Sequence, residues 1–508
     1  MTYSVPSRVR RGHATETLRD HMDGVATSLP IQRIRSATLT VIVAVTAACS
    51  STNSTTVEQH VDRLFEAHIS TNAPGCAVGA SRGDNVLYSN GYGIANLDYT
   101  LPITANTVFD VGSVTKQFTA ASVVLLSLDG ALSLDDNVRL HLPELPDHEP
   151  PITIRHLLHH TSGIRDYLNL MALSGREFYA PIRHQDIVEL LARQHALNSM
   201  PGERYSYSNT GYMLLATIVE RVSGQSYGTF ARERIFEPLD MTQSFLYEDA
   251  ERIVSNRGTG YAPGGDQGYR VVHNYSFATA GDGQLYTTVG DLLRWSHALL
   301  SNQVAGPDFG RLMLTRGTLD SGAPLDYGAG LALGAYRGLL TNGHGGSTWG
   351  FRAHLVRFPE ADFTVAVLCN REDVNPRALA YDVADLYLDD RLGAADETRP
   401  TRRSRSDRPP ERLSIPDEID DYVGDFYSVE LDATYHVLID SGALQVRIGH
   451  WPALDLLGIA DDTFISTDFP AWTGPRRVEL TFSRDQGHTV TSLTLSAGQA
   501  RNIRFVRQ

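Results

Sequence analysis

The stretch DVGSVTKQFTA, residues 110–120, places Ser113 three positions before Lys116. Apolar residues continue at helical spacing to residue 128, so the pattern predicts a helix over 113–128. Residues three apart share a helix face, and the hydroxyl and the amine can meet there. A serine needs an adjacent base, and a buried lysine near a helix N-terminus can be neutral enough to act as one. S-x-x-K alone also fits a capping serine beside a surface lysine.

Two other segments carry side chains suited to acyl transfer. Residues 201–218, PGERYSYSNTGYMLLATI, contain Tyr207 and Asn209, and residues 342–351, NGHGGSTWGF, contain a histidine followed by two glycines. A phenol can shuttle a proton, and an asparagine amide can fix both a lysine and a substrate carbonyl. The two glycines allow a strand backbone to approach a ligand closely.

In the order S-x-x-K, Y-x-N and H-G-G, these elements closely resemble the serine β-lactamase and penicillin-binding superfamily. The Y-x-N element resembles the class C branch, which includes D-alanyl-D-alanine carboxypeptidases, D-aminopeptidases and esterases. The resemblance covers about residues 57–392, and includes the segments LLHHTSGI (157–164), IFEPLDM (235–241) and AGDGQLYTTVGDLLRW (280–295).

The resemblance implies a serine hydrolase that acts through an acyl-enzyme on small peptides, D-amino-acid amides or carboxylic esters, without a cofactor or a metal. The alternatives are a weak class C-type β-lactamase and a non-turnover penicillin-binding or sensing protein. Ser113 would be the acylated nucleophile, and Lys116 and Tyr207 would share the acid–base work. Asn209 would orient both Lys116 and the substrate.

The H-G-G segment would form the facing wall of the same site. His344 would stand where class C β-lactamases have the lysine of Lys-Thr-Gly, and Gly345 and Gly346 would contact the substrate. The backbone N–H groups of Ser113 and Ser347 would form the oxyanion hole. Because histidine is cationic only part of the time near neutral pH, His344 puts efficient β-lactam hydrolysis in doubt and leaves peptide or ester hydrolysis open.

Two other patterns have plainer explanations. Residues 224–228, GQSYG, match a nucleophile elbow, but the residues before them are helical and Gly224 is expected to end that helix. Ser226 is therefore not the expected nucleophile. His156, His159 and His160 have spacings that a zinc site could use, but no acidic ligand pattern completes such a site.

The order of elements predicts an α+β fold for this part of the chain. An amphipathic helix fits 57–69, two strands joined by a turn at 83–85 follow it, and strand patterns return at 352–358 and 363–368 before a helix at 376–392. Helical patterns dominate between the strand groups. The resemblance implies an antiparallel sheet flanked by helices, with a helical subdomain, as in β-lactamases and transpeptidases.

The resembled fold pairs the first strand of the sheet with the last. Cys76 lies at the start of the first strand and Cys369 at the end of the last, so the resemblance implies that they could be near neighbours. Either a disulfide or two buried free thiols fits this position, because directly opposite strand positions often miss the torsion that a bridge needs.

Composition changes after residue 392. Residues 393–412 are polar, charged and proline-bearing, and are predicted to be a linker between the catalytic domain (50–392) and a C-terminal domain (413–508). Alternating stretches in the latter predict a small antiparallel β-barrel, which resembles lipocalin-like domains appended to some of these hydrolases. It carries no acid–base constellation, so it is expected to be an accessory domain. Its predicted inward residues are Tyr435, Val437, Ile439, Leu444, Val446, Ile448, Leu480, Phe482, Leu493, Leu495, Ile503 and Phe505.

The N-terminal residues 1–49 predict export. Residues 33–51, RIRSATLTVIVAVTAACSS, combine a basic start, a short apolar run and small residues before Cys49. This resembles a bacterial lipobox with a lipidated Cys49, and an ordinary signal peptide is the alternative. The true start is either Met1 or Met22. We expect an exported protein, periplasmic or anchored to the membrane only by its lipid.

The charge balance bears on the partners. The net charge is −15, without a long basic run in the body of the chain. Because phosphate binding needs clustered Lys and Arg, nucleic acid is not an expected partner. A small-molecule or peptide substrate is expected, and an oligomer is possible.

Overall fold

The computed structural model describes residues 56–175, 182–249, 251–272, 279–394, 419–449, 451–467, 469 and 477–508. The chain divides into residues 1–54 and 55–508, and all elements below belong to the second unit. The predicted export segment with Cys49, and most of the predicted linker, lie outside the described residues. Within those residues, none of the helices has both the length and the apolar character needed to cross a bilayer.

Thirteen strands precede the predicted linker in the described residues. They are β1 (Cys76–Arg82), β2 (Asn85–Tyr92), β3 (Ile94–Asn96), β4 (Leu101–Pro102), β5 (Phe109–Asp110), β6 (Phe245–Leu246), β7 (Tyr261–Pro263), β8 (Tyr269–Val271), β9 (Leu285–Thr287), β10 (Ala332–Tyr336), β11 (Leu339–Thr348), β12 (Phe351–Phe358) and β13 (Phe363–Cys369). Six form one antiparallel sheet in the order β10-β11-β12-β13-β1-β2. The predicted pairing of the first strand with the last is confirmed.

The ten α-helices of the described residues all lie in the same part. They are α1 (Val57–His68), α2 (Lys116–Leu128), α3 (Ile154–Leu158), α4 (Tyr167–Leu173), α5 (His184–Leu191), α6 (Asn209–Ser223), α7 (Tyr227–Ala231), α8 (Val289–Leu300), α9 (Pro307–Leu314) and α10 (Pro376–Leu388). Short 3₁₀ turns occur at Gly112–Thr115, Val138–Leu140, Gly265–Gln267, Pro359–Ala361 and Ile419–Tyr422, and a π turn at Arg232–Phe236.

Helices cover both faces of the central sheet. On one face, Val78 and Ala80 of β1 join a core cluster with α1 and α10, and on the other face Gly79 lies against Val289 and Leu293 of α8. This explains why β13 is buried along its whole length. A strand covered on both faces typically has a nearly continuous apolar sequence. Helix α2 is buried on all sides, so its first turn is held rigidly inside the domain.

Cys76 and Cys369 are directly opposite each other in the β1–β13 ladder. A disulfide joins them, and it links residues 293 positions apart in the chain. Of the two arrangements that the sequence left open, the structure contains the bridge.

The C-terminal part is a nearly closed barrel. Its strands are β14 (Gly424–Ser428), β15 (Ala433–Asp440), β16 (Ala443–Ile448), β17 (Leu454–Asp455), β18 (Leu457–Ala460), β19 (Thr463–Ser466), β20 (Val478–Arg484), β21 (Val490–Ala497) and β22 (Ala500–Arg507). They pair in the order β17-β16-β15-β14-β22-β21-β20-β19-β18. The predicted inward residues are buried, except for Ile439, which is half-buried.

The α+β fold with a C-terminal barrel is confirmed, and the differences are local. The apolar alternation did not outline β10 or the bounds of β11. In β11, which carries the two glycines that were expected on a strand, the segment NGHGGST interrupts the alternation of apolar and polar residues. The residues at 113–115, predicted to be α-helical, instead form a 3₁₀ turn that leads into α2.

Candidate active site

Ser113 lies where β5 turns into the 3₁₀ segment that precedes α2. The turn depends on Gly112, whose φ is +50°, and a Cβ there would lie 2.9 Å from the backbone nitrogen of Ser347. Asp110 Oδ1 accepts the Gly112 N–H at 2.9 Å and so fixes the turn. The result is a half-exposed serine on the wall of a cavity of about 460 Å³.

Lys116 is fully buried at the first position of α2. Its Nζ lies 3.2 Å from Ser113 Oγ, 3.0 Å from Asn209 Oδ1 and 2.7 Å from the carbonyl oxygen of Asp282. The amide oxygen of Asn209 and the carbonyl oxygen of Asp282 can only accept hydrogen bonds, so a neutral lysine donates to both and points its lone pair at the serine. Burial lowers the pKa of Lys116 to about 8, although the negative charge of Asp282 acts to raise it.

Tyr207 completes the contacts of the serine. Its phenol hydrogen-bonds to Ser113, and burial raises its pKa. The Lys116 Nζ lies 5.0 Å from the centre of its ring. A phenol with a raised pKa keeps its proton at neutral pH, so Tyr207 is placed to give a proton to a leaving group.

His160 holds the backbone on both sides of Tyr207. Its carbonyl oxygen accepts the Ser206 N–H at 2.8 Å, and its Nδ1 accepts the Ser208 N–H at 3.1 Å. Its ring lies 4.3 Å from the ring of Tyr207, centre to centre, and its φ is +58°. The histidine cluster of the sequence therefore contains a residue that positions the tyrosine.

The histidines do not form a metal site in the described residues, where no group of three or more potential ligands is close enough to hold an ion. His160 Nδ1 is already used by a backbone N–H. Burial lowers the pKa of His159 to about 4.

Two aspartates, Asp166 and Asp282, act on the charge of the lysine, and a third, Asp110, holds the turn before it; the motif analysis identified none of them. Asp166 caps α4 by accepting the Leu168 N–H at 3.1 Å, and its other oxygen accepts the Asn209 N–H at 2.8 Å. Tyr167 donates its hydroxyl to Asp282. Burial raises the pKa of both carboxyls, and that of Asp110 to about 7. The polar residues that follow the HTSG segment were the available signal for Asp166.

The surroundings of His344 favour its neutral form. Its Nδ1 lies 2.6 Å from the Gly345 carbonyl oxygen, which can only accept, so the proton is on Nδ1. Its Nε2 then accepts the hydroxyl of Tyr327 at 3.1 Å. Burial and the nearby Lys116 lower the pKa of His344 to about 4. The expectation of a partly cationic histidine near neutral pH does not match this environment.

The two glycines of the H-G-G motif differ in their surroundings. A Cβ at Gly346 would lie 1.9 Å from the Val111 carbonyl oxygen, so glycine is required for β11 to approach the turn that carries Ser113. A Cβ at Gly345 would meet its nearest atom at 3.5 Å. The close approach at Gly346 brings the backbone of Ser347 beside Gly112, which precedes Ser113, and the oxyanion hole was predicted from the N–H groups of Ser113 and Ser347.

Ser226 lies apart from this group. It is exposed, and its Oγ caps α7 by accepting the Thr229 N–H at 3.2 Å. The helix before it ends at Gly224, in the left-handed conformation, as the sequence predicted. The structure thus brings Ser113, Tyr207 and Asn209 together around Lys116.

Comparisons with known proteins agree with this geometry. A family model described as Beta-lactamase matches residues 56–388. Penicillin-binding protein 4* of Bacillus subtilis is 30% identical over 335 residues, which are 62% of this chain and 72% of that protein. A D-aminopeptidase of Gluconobacter oxydans is 29% identical over 297 residues, 58% of this chain; the chain spans only 56% of that relative.

Solved structures share the fold. An octameric penicillin-binding protein homologue from Pyrococcus abyssi has a TM-score of 0.59 and 24% identity, and the match covers 89% of this chain and 99% of that one. A D-amino acid amidase from Ochrobactrum anthropi SV3 has a TM-score of 0.55 and 22% identity over 66% of this chain and 99% of that one. Since the family model alone spans more than half of the sequence, the chain belongs to the Beta-lactamase family.

Proposed function

We propose that the protein is a serine hydrolase that forms an acyl-enzyme on Ser113 and cleaves small peptides or D-amino-acid amides. The observation that carries the proposal is the set of contacts around Lys116 Nζ. With Asn209 Oδ1 and the Asp282 carbonyl oxygen as acceptors, a neutral lysine is directed at the serine oxygen, 3.2 Å away. The D-aminopeptidase and penicillin-binding relatives support a hydrolase of amides or peptides.

The proposed reaction has two halves. As Ser113 Oγ attacks the substrate carbonyl carbon, Lys116 takes its proton and the backbone N–H groups of Ser113 and Ser347 stabilise the oxyanion. Tyr207 gives its proton to the leaving nitrogen as the C–N bond breaks, and recovers one from Lys116. Water then attacks the carbonyl carbon of the acyl-enzyme ester, and Lys116 takes its proton. Lys116 returns that proton to Ser113 Oγ as the ester C–O bond breaks and the acid product leaves.

The lining of the cavity favours small charged substrates over apolar esters. Arg352 and Glu372 both contribute to it, so a substrate carboxylate or ammonium has a partner of opposite sign. The neutral His344 lacks the fixed positive charge that a β-lactam carboxylate would use. This disfavours the β-lactamase alternative, and the intact contacts of Ser113 disfavour a sensor that is acylated only once.

We also propose that the protein works outside the cytoplasm. The Cys76–Cys369 disulfide supports this, because such bonds persist in oxidising compartments. Anchoring through a lipidated Cys49 is part of the same proposal, and intact mass measurement of the mature N-terminus would test it.

A substrate panel tests the proposed function. We expect D-alanine p-nitroanilide to show a higher kcat/KM than its L-enantiomer, p-nitrophenyl acetate and a chromogenic cephalosporin, with many turnovers per enzyme. Ser113→Ala should abolish turnover of every substrate in the panel. A higher kcat/KM for p-nitrophenyl acetate would indicate an esterase instead. Release of one equivalent of chromogenic product per enzyme without further turnover would indicate a sensor.

A further inference from the structure

The barrel touches the catalytic part through the turn between β21 and β22. The polar groups of Gln499, at the tip of this turn, bond across the boundary. Its carbonyl oxygen accepts the Asp166 N–H at 2.9 Å, and its own N–H donates to Asn169 Oδ1 at 2.8 Å. Its side-chain Oε1 accepts the Ser206 hydroxyl at 2.7 Å, and Asn198 Nδ2 donates to its carbonyl oxygen at 2.8 Å.

The contacted residues adjoin the proposed catalytic groups. Asp166 accepts the Asn209 N–H at 2.8 Å, and Asn209 Oδ1 accepts from Lys116 Nζ at 3.0 Å. Ser206 directly precedes Tyr207. The barrel turn is therefore connected to the lysine through two intervening residues, and to the tyrosine through one adjacent residue.

A second set of contacts fixes the barrel at both ends of α4. Arg165, which is fully buried, bonds to Glu430 Oε1 at 2.5 Å and to the Asn502 carbonyl oxygen at 2.9 Å. At the other end, the Tyr435 hydroxyl donates to the Leu173 carbonyl oxygen at 2.7 Å. Because a buried guanidinium needs such partners, Arg165 holds β22, the strand that follows the turn at Gln499.

We propose that Gln499 is a positioning residue of the active site: the barrel turn fixes Asp166 and Ser206, and through them sets the places of Asn209 and Tyr207 against Lys116 and Ser113. The barrel thus contributes to turnover without supplying a reacting group. This rests on the proposed function for its kinetic consequences, whereas the hydrogen bonds themselves do not depend on it.

The test uses the full chain with Gln499→Ala and Asn169→Ala, singly and together. We expect the double variant to lower kcat on D-alanine p-nitroanilide about tenfold with little change in KM, from the loss of two hydrogen bonds that hold the site. Gln499→Glu, which keeps an acceptor for Ser206, should recover most of the loss of Gln499→Ala. Gln445→Ala is the matched control, because this barrel glutamine bonds to Asp455, within the barrel.

Hydrogen exchange provides a readout that does not need activity. A peptide covering residues 205–213 should exchange faster in the double variant than in the wild type or in Gln445→Ala. An unchanged kcat with unchanged exchange in this peptide would overturn the inference, even if the melting temperature falls. A wild-type protein without turnover would refute the proposed function alone, since the exchange result would still report on the positioning.

Discussion

The turn that carries Ser113 and Lys116 is built mainly from its own neighbours, whereas the turn that carries Tyr207 and Asn209 is held from outside. In the first turn, Asp110 binds the Gly112 N–H two residues away, and the serine and lysine share one helical turn. The spacing of the motif almost suffices to bring the two side chains together.

The second turn takes its support from distant parts of the chain. His160 binds the backbone on both sides of Tyr207, Asp166 binds the Asn209 N–H, and Gln499 binds Asp166 and Ser206. The nucleophile and its base are thus set by the local turn that leads into α2, while the positions of Tyr207 and Asn209 depend on long-range contacts. Substitutions in the first turn should abolish activity, whereas substitutions around the second turn should lower activity by smaller, graded amounts.

The largest effect is expected at the first turn. Lys116→Ala should lower the rate of Ser113 labelling by a fluorophosphonate by roughly a thousandfold or more, because no other buried base contacts the serine oxygen in the described part of the site. Lys116→Arg should be as inactive, since a guanidinium keeps the charge but cannot release its proton. Labelling is measured by intact mass spectrometry over time.

Ser226→Ala is the control for the first prediction. This variant removes the other candidate nucleophile of the sequence. It should be labelled at the same rate as the wild type, because Ser226 only caps α7. Rapid labelling that survives Lys116→Arg would show that the lysine acts through its charge and not as a base.

An intermediate effect is expected where the second turn is held by His160. His160→Ala should lower kcat by roughly ten- to a hundredfold, since it removes the acceptor for the Ser208 N–H and the ring against Tyr207. His160→Asn should retain more activity, because asparagine tolerates a positive φ and offers an oxygen acceptor. Equal losses in the two variants, with equal melting temperatures, would contradict a role for the Nδ1 contact.

The same contrast explains what the sequence could predict. Ser113, Lys116, Tyr207 and Asn209 follow from short motifs, since each pair lies within one turn of chain. Asp166 and Gln499 do not, because their role arises from contacts between residues 333 positions apart that no local pattern encodes. The motif also could not predict the charge of His344, since the burial and the neighbouring Lys116 that lower its pKa arise only in the folded protein.

The barrel shows the same limit on a larger scale. Its strands were predictable from alternation, since Tyr435, Val437 and Leu444 face inward as expected. Its effect on the site was not, because the important atoms of Gln499 include its backbone N–H and carbonyl oxygen, which every residue type possesses. An accessory role was therefore the furthest conclusion that composition could support.

The smallest effects are expected from the two carboxylates beside Lys116, and they separate charge from positioning. Kcat/KM should rise with pH through about 8, the pKa of Lys116, because the base must be neutral. The charges of Asp282 and Asp166 both raise that pKa, so Asp282→Asn and Asp166→Asn should both move this rise to lower pH.

The heights of the two plateaus at high pH should differ. Asp282→Asn leaves the carbonyl oxygen that holds Lys116 in place, so its plateau should stay close to the wild type. Asp166→Asn cannot accept both the Leu168 and Asn209 N–H groups, since an amide has one acceptor atom where the carboxylate has two. Its plateau should fall several-fold, by roughly the worth of one hydrogen bond. Full pH profiles of both variants decide the matter: equal plateaus would mean that Asp166 acts on the lysine only through its charge, and an unshifted rise in both would mean that neither carboxyl is ionised while Lys116 titrates.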